Sequence, residues 1–274
     1  MNIGFVFTNF NNAKYTKDAV ESIQKFNKSD VKIVIVDNNS KEEDIRKLKE
    51  LNIKYSNIEI IYSNENVGYF SGLNIGIKFL RDTYPEYNYL VIGNNDVLFP
   101  INFIEQIENK LNLFEKYPVV SPNIVTLDGF HQNPHVISGI SKKREFIYDL
   151  YHSNFLLSIL IIKLSTLTHS FTDRKDEEQY EIAQEIYQGY GAMYILGPKF
   201  FENFDELWSP TFLMYEEYFL SKQLSDKGFK IFYEPSIEIT HLMHATTNLL
   251  PAKIKWEFSR KAHKTYRQYI KVFK

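Results

Sequence analysis

Tyr89-Leu90-Val91-Ile92-Gly93-Asn94-Asn95-Asp96-Val97-Leu98-Phe99 sets three polar residues between two apolar runs. The first run is of strand length, so the stretch predicts a buried strand that delivers two amides and a carboxylate at its carboxyl end. Ligands of open α/β sheets bind outside the carboxyl ends of the strands, which makes Asn94, Asn95 and Asp96 candidate ligand contacts. A plain polar turn has the same local composition.

Toward the N-terminus the same rhythm repeats. Residues 3–7, 32–36, 58–62 and 89–93 predict strands, and residues 17–26, 42–51 and 70–81 predict amphipathic helices. Strands alternating with helices imply βαβ units and a mainly parallel, Rossmann-like sheet in residues 1–100. Toward the C-terminus the pattern loosens. Residues 101–114 predict a helix, 119–121 a short strand, 127–136 a loop, and 142–185 a helical insertion. Residues 155–164 form the most apolar segment, too short for a bilayer span, which needs roughly 20 apolar residues. That segment reads either as a packed helix or as one lying in a membrane interface.

Residues 252–274 read as an amphipathic helix. Ile254, Phe258, Ala262, Thr265, Tyr269 and Phe273 share one face, while Lys253, Arg260, Lys264, Arg267, Lys271 and Lys274 share the other. The basic face is either a solvated back or a surface for anionic lipid or a diphosphate-bearing acceptor.

Composition narrows the class. The 274 residues, 44% of them hydrophobic, are enough for one large domain or two small ones. With 32 basic and 34 acidic residues, overall charge gives no argument for a nucleic-acid partner. The absence of cysteine removes disulfides, thiolate zinc sites and cysteine nucleophiles. Met1–Thr8 lacks a basic leader and a cleavage site, so no signal peptide is expected there.

Four clusters fall at strand ends or in loops. Thr8, Asn9 and Asn11 follow the first strand, and Asp37-Asn38-Asn39-Ser40 follows the second; both also suit ordinary turns. In residues 64–76, Asn66, Gly68, Tyr69, Gly72, Asn74 and Gly76 combine three glycines within nine residues. Glycine in a helix costs about 1 kcal/mol relative to Ala, so close backbone approach to the sheet or to a ligand is expected. The spacing matches neither a dinucleotide fingerprint nor a P-loop. Tyr215-Glu216-Glu217 sets two carboxylates in an aromatic context, either a base with a perturbed neighbour or acids opening a helix.

Taken in order, with Gly189-Tyr190-Gly191-Ala192 between the third and fourth, these motifs resemble the family 2 glycosyltransferases of GT-A fold over about residues 2–244. The likeness is greatest to the bacterial rhamnosyltransferase-like branch of surface polysaccharide assembly. The resemblance implies a GT-A domain over residues 1–250, with a nucleotide-sugar half (1–100), an acceptor half (101–250), and the basic helix 251–274 appended. It implies a UDP- or dTDP-sugar donor, bound by Thr8, Asn9, Asn11, Asp37, Asn39, the Asn66–Asn74 residues named above and Asn94–Asp96. It further implies Mg²⁺ or Mn²⁺ on Asp96 and His241, with His244 as an alternative. Glu217 would be the base of an inverting displacement, with Glu216 as competitor, and Gly189–Ala192 and Tyr215 would face a saccharide or polyprenyl-diphosphate-linked acceptor. A cytoplasmic enzyme, peripheral on the inner face of the membrane, is the expected setting. A sugar nucleotidyltransferase would carry a glycine- and base-rich loop after the first strand, and residues 8–12 contain neither Gly nor Arg. A non-catalytic sugar-nucleotide or glycan binding module is the other alternative.

Overall fold

The computed structural model describes residues 1–26, 30–168, 175–242 and 251–270; His244, Lys271, Phe273 and Lys274 lie outside them. The N-terminal half alternates as expected: β1 (Ile3–Asn9), α1 (Ala13–Ile23), β2 (Val31–Asp37), α2 (Glu42–Lys54), β3 (Ile58–Tyr62), α3 (Tyr69–Thr83) and β4 (Tyr89–Asn94). Then come β5 (Val97–Leu98), α4 (Phe103–Glu108), α5 (Leu111–Lys116), β6 (Val119–Thr126), α6 (Lys142–Ser153) and α7 (Phe155–Thr168). The chain continues through β7 (Gln184–Ile186), β8 (Met193–Leu196), α8 (Pro198–Asn203), α9 (Glu216–Ser225), β9 (Ile231–His241) and α10 (Ala252–Tyr269).

Among the described residues the strands form one mixed sheet in the order β3-β2-β1-β4-β8-β6-β9-β5, with β7 also paired to β9. The first four strands are parallel, β8 runs antiparallel to β4 and β6, and β6 and β9 are parallel. All seven residues of β2 are buried, as expected of a parallel strand covered on both faces. Alternation along β1 sends Phe5 and Phe7 into an aromatic layer with Phe99 and Phe103, while Val6 meets Ile77 and Leu80 on the opposite face. On that second face a Cβ at Gly76 would lie 2.4 Å from Val6 Cγ1, so the contact between α3 and the sheet demands glycine there.

Register places the functional loops together. Asn9 pairs with Asp37 and Thr8 with Asn94, so the ends of β1, β2 and β4 share one edge of the sheet.

Three expectations change. The helix expected over 101–114 is two short ones, with the break near Lys110, whose Nζ meets Glu234 at 3.2 Å; the break lets Phe114 pack edge-on against Tyr89. The insertion is helical through α7, but β7 occupies 184–186, where it pairs with β9. The face of α10 that docks is not the expected stripe. Ala262 of that stripe is buried, but Ile254 and Tyr269 are 40% and 45% exposed, and Trp256, His263 and Tyr266 are buried instead. On the supposed solvated back, Arg267 is paired to Glu145 and Asp149 of α6. Polar side chains with matched partners can be buried, and a wheel that weighs only apolar residues misses them.

Candidate active site

The shared edge opens into a cleft of about 610 Å³. One wall carries Thr8, Asn9, Phe10, Asn12, Asn38, Asn66, Gly68 and Asn94–Asp96; the other carries Tyr69, Tyr190–Ala192, Phe212–Glu217, His241 and Phe258.

The first wall is a web of amides. Asn9, fully buried, donates to Asp37 Oδ1 (2.8 Å) and Ser40 Oγ (3.1 Å) and accepts from Thr16 Oγ1 (2.8 Å). Asn95 exchanges bonds with Asn12, at 2.8 and 3.1 Å, and its Nδ2 donates to Thr16 Oγ1 at 2.6 Å. Asp37 Oδ2 accepts the Ser40 N–H at 3.0 Å, so both oxygens of this buried carboxylate are engaged by protein donors. Asn38 Nδ2 donates to the Gly68 carbonyl at 3.0 Å, whereas its buried Oδ1 has no partner. Gly68 opens α3 at φ 92°, and a Cβ there would lie 2.1 Å from the Phe212 carbonyl oxygen. Only glycine tolerates both conditions.

Asp96 and His241 meet between the walls. His241 Nε2 lies 3.2 Å from Asp96 Oδ1 and Nδ1 lies 2.7 Å from Gln132 Oε1, and both residues are almost fully buried. A neutral imidazole that donates Nδ1–H to Gln132 turns an Nε2 lone pair toward a carboxylate oxygen. Two lone pairs so placed call for a proton or a cation between them. Asp96 Oδ2, also buried, has no hydrogen-bond partner. This donor set fits a divalent ion, the carboxylate suiting Mg²⁺ or Mn²⁺. Among the described residues no three His, Cys, Asp or Glu side chains cluster for a metal, so any further ligands would be amides, water or substrate.

Glu216 and Glu217 are the first two residues of α9 and both line the cleft. Met214 and Tyr215 before them both have positive φ, at 75° and 72°. Glu217 packs against Gly191, where a Cβ would lie 2.5 Å from Glu217 Oε1. Glu216 is buried, with Oε1 unpartnered; burial, then the charge of Glu217, push its pKa up to about 8. On the same wall the Tyr69 hydroxyl donates to the Gly191 carbonyl at 2.8 Å.

Several expected contacts sit behind the wall. Asp37 belongs to the web. Asn39, at φ 63°, points outward, and Asn11 Oδ1 caps the Lys41 N–H at 2.8 Å. Gly72 packs on Thr8 and Asn38, Asn74 clamps both backbone groups of Leu207, and Gly189 packs on Ser121. Expectation missed Phe10, Asn12, Asn38, Gln132, Phe212 and Phe258. The Asn-rich loops pointed to Asn12 and Asn38. No local signal pointed to Gln132, Phe212 or Phe258.

The sequence model of glycosyl transferase family 2 matches residues 5–160, more than half of the chain. No curated protein matches the sequence significantly. Among solved structures, S. aureus TarS 1-349 aligns over 88% of this chain and 60% of that one, at 11% identity and a TM-score of 0.54. The same portion of TarS in complex with UDP-GlcNAc aligns over 92% and 62%, at 10% identity and TM-score 0.56. GalNAc-T7 with UDP, GalNAc and Mn²⁺ aligns over 97% of this chain and 48% of that one, at 13% identity and TM-score 0.62. The chain thus spans less than two thirds of each. The shared architecture is the GT-A fold, a mixed sheet flanked by helices.

Proposed function

The chain belongs to glycosyl transferase family 2, and from that premise we propose that it moves a hexosyl or deoxyhexosyl group, with inversion, from a nucleoside-diphosphate sugar to an acceptor hydroxyl. The acceptor in this reading is a saccharide or a polyprenyl-diphosphate-linked saccharide of bacterial surface polysaccharide synthesis, as in the rhamnosyltransferase-like branch. UDP is the first nucleotide to test, because structures of the same fold hold UDP or UDP-GlcNAc, and dTDP is the second.

The observation that carries the reading is that Asp96, with an unpartnered buried oxygen, and Glu217 face one cleft from different elements. Residues 1–100 supply the donor wall, where Thr8, Asn12, Asn38, Asn66 and Asn95 offer hydroxyl and amide groups to a base, ribose and diphosphate. Residues 101–250, with Tyr69 and Phe258, supply the acceptor wall. Asp96 and His241, with the Asn94 amide beside them, would hold Mg²⁺ or Mn²⁺. When bound, the ion supplies positive charge where the diphosphate departs. Glu217 takes the proton of the acceptor hydroxyl, whose oxygen attacks the anomeric carbon from the face opposite the leaving group. Burial and the neighbouring Glu217 charge raise the pKa of Glu216, so in this reading Glu217 is the base and Glu216 its competitor. Gly191 leaves room for the Glu217 carboxylate, and Tyr69 fixes the Gly191 backbone.

Peripheral membrane attachment at the cytoplasmic face belongs to the same reading. No described helix is long and apolar enough to cross a membrane. Helix α7, however, leaves Leu156 75% exposed and Leu160, Ile162 and Leu164 about half exposed, an apolar ridge suited to an interface. Loss of liposome flotation in a Leu156→Ser, Leu160→Ser double variant is expected, and unchanged flotation removes α7 from the account.

The activity is tested by a thermal-shift panel of UDP-, dTDP- and GDP-sugars with Mn²⁺, followed by turnover of Asp96→Ala and Glu217→Gln. Both variants are expected to lose transfer. If both keep wild-type rates, the catalytic assignment is wrong. If the wild type binds nucleotide but turns over with no acceptor, a binding module replaces the enzyme.

A further inference from the structure

Two consecutive non-glycine residues in the left-handed region, Met214 and Tyr215, stand directly before the two acids of the cleft. Backbone of this kind persists only where the surroundings over-determine it. Here the surroundings come from α6 and α10. The Tyr215 hydroxyl meets His263 Nδ1 at 2.9 Å, His263 Nε2 meets Asp149 Oδ1 at 2.7 Å, and the same oxygen accepts from Arg267 Nε at 2.7 Å. Asp149 can only accept, so His263 donates through Nε2, and its Nδ1 lone pair then requires a donor, which is the Tyr215 hydroxyl. Burial lowers the pKa of His263, favouring this neutral form. The Tyr215 ring stacks on Tyr218 at 4.8 Å and lies against Tyr266, whose hydroxyl donates to Glu145 at 2.6 Å. The face of His263 is covered by His152, with ring centroids 4.2 Å apart.

We propose that His263, oriented by Asp149, is a positioning residue of the transfer reaction: it holds the Tyr215 hydroxyl and thereby the left-handed turn that sets Glu217 against Gly191. Helix α10, which lies beyond the family match, is then part of the catalytic apparatus and not an appendage. This rests on the reading of Glu217 as the base.

Tyr215→Phe, His263→Ala and the double variant test it. Tyr215→Phe keeps the ring stacks, so it stays informative if His263→Ala fails to fold. Each single variant is expected to lower kcat by about 10-fold, the size of one hydrogen bond, with UDP affinity by calorimetry within about twofold. Because both break the same bond, the double variant is expected to fall no further than the singles. Crystals of Tyr215→Phe should show residues 214–215 out of the left-handed region and Glu217 moved from Gly191. Unchanged kcat per folded molecule, losses that multiply in the double variant, or an unmoved turn would each overturn the proposal. Glu217→Gln separates the two claims. If it keeps full transfer, the base assignment fails. If it is inactive while the Tyr215 and His263 variants are fully active, only the positioning role fails.

Discussion

The two walls of the cleft are built on opposite principles. On the donor wall, Asn9, Asp37, Ser40, Asn95, Asn12 and Thr16 satisfy one another at the ends of adjacent parallel strands, and only Asn38 Oδ1 and Asp96 Oδ2 beside them stay buried and unpartnered among the described side chains of that wall. On the acceptor wall, Glu216 keeps an unpartnered buried oxygen, and the turn before it is held in left-handed backbone by a helix from the far end of the chain. The donor wall is therefore held by mutual pairing of side chains at neighbouring strand ends, and the acceptor wall by a clamp from helix α10. Substitutions within the amide web should lower stability, whereas substitutions at the turn and at the contacts that set Glu217 should lower rate.

Gly191→Ala gives the largest expected break in that contrast. Its Cβ would displace the Glu217 carboxylate, and a misplacement of about 1 Å can lower kcat by about 100-fold. UDP affinity should stay the same. A fall in affinity equal to the fall in rate would mean that the walls are not separable.

Asn95→Ala is the donor-wall counterpart. It strips partners from Asn12 and Thr16 in a buried web, for an expected loss of about 2 kcal/mol in urea denaturation. A variant as stable as wild type would show that the web contributes nothing to rigidity.

Glu216→Gln sharpens the acceptor side through pH. The folded pKa of Glu216 is raised, so the folded state holds the proton over a range where the unfolded chain has released it. Its stability contribution is complete below the unfolded value near 4.5 and declines as pH rises toward about 8. The glutamine variant should match wild type in thermal midpoint at pH 4 and exceed it increasingly up to pH 8, by at most about 1.4 kcal/mol per pH unit. Parallel midpoints at all pH values would remove the raised pKa. The smallest effect is expected of Asn39→Gly. The left-handed backbone there suits glycine, so stability should change by less than about 0.5 kcal/mol and UDP affinity not at all. A large loss of affinity would restore Asn39 as a donor contact.

These contrasts also explain what was legible in the chain. Strands β1 to β4 and the helices between them follow from periodicity, because parallel strands buried on both faces read as continuous apolar runs. The loops at their ends were findable for the same reason, yet the individual contacts within them were not. Asp37 and Asn38 are neighbours in sequence. Which of them faces the cleft depends on the turn at Asn39 and on Asn9 reaching across from β1. The short strands β5, β7 and β8 escaped because their pairing partners are distant in sequence, and the docking face of α10 because its buried groups are partly polar.

By itself the sequence determined the alternating parallel half, the strand ends that gather the polar residues, and the acidic pair at 216–217, all carried by local periodicity and spacing. Tertiary structure alone decided that Gln132 holds the His241 ring, that Gly191 faces Glu217, and that His263 holds Tyr215. These are contacts between side chains brought together only when the sheet closes, and no local pattern records which buried donor will find which acceptor.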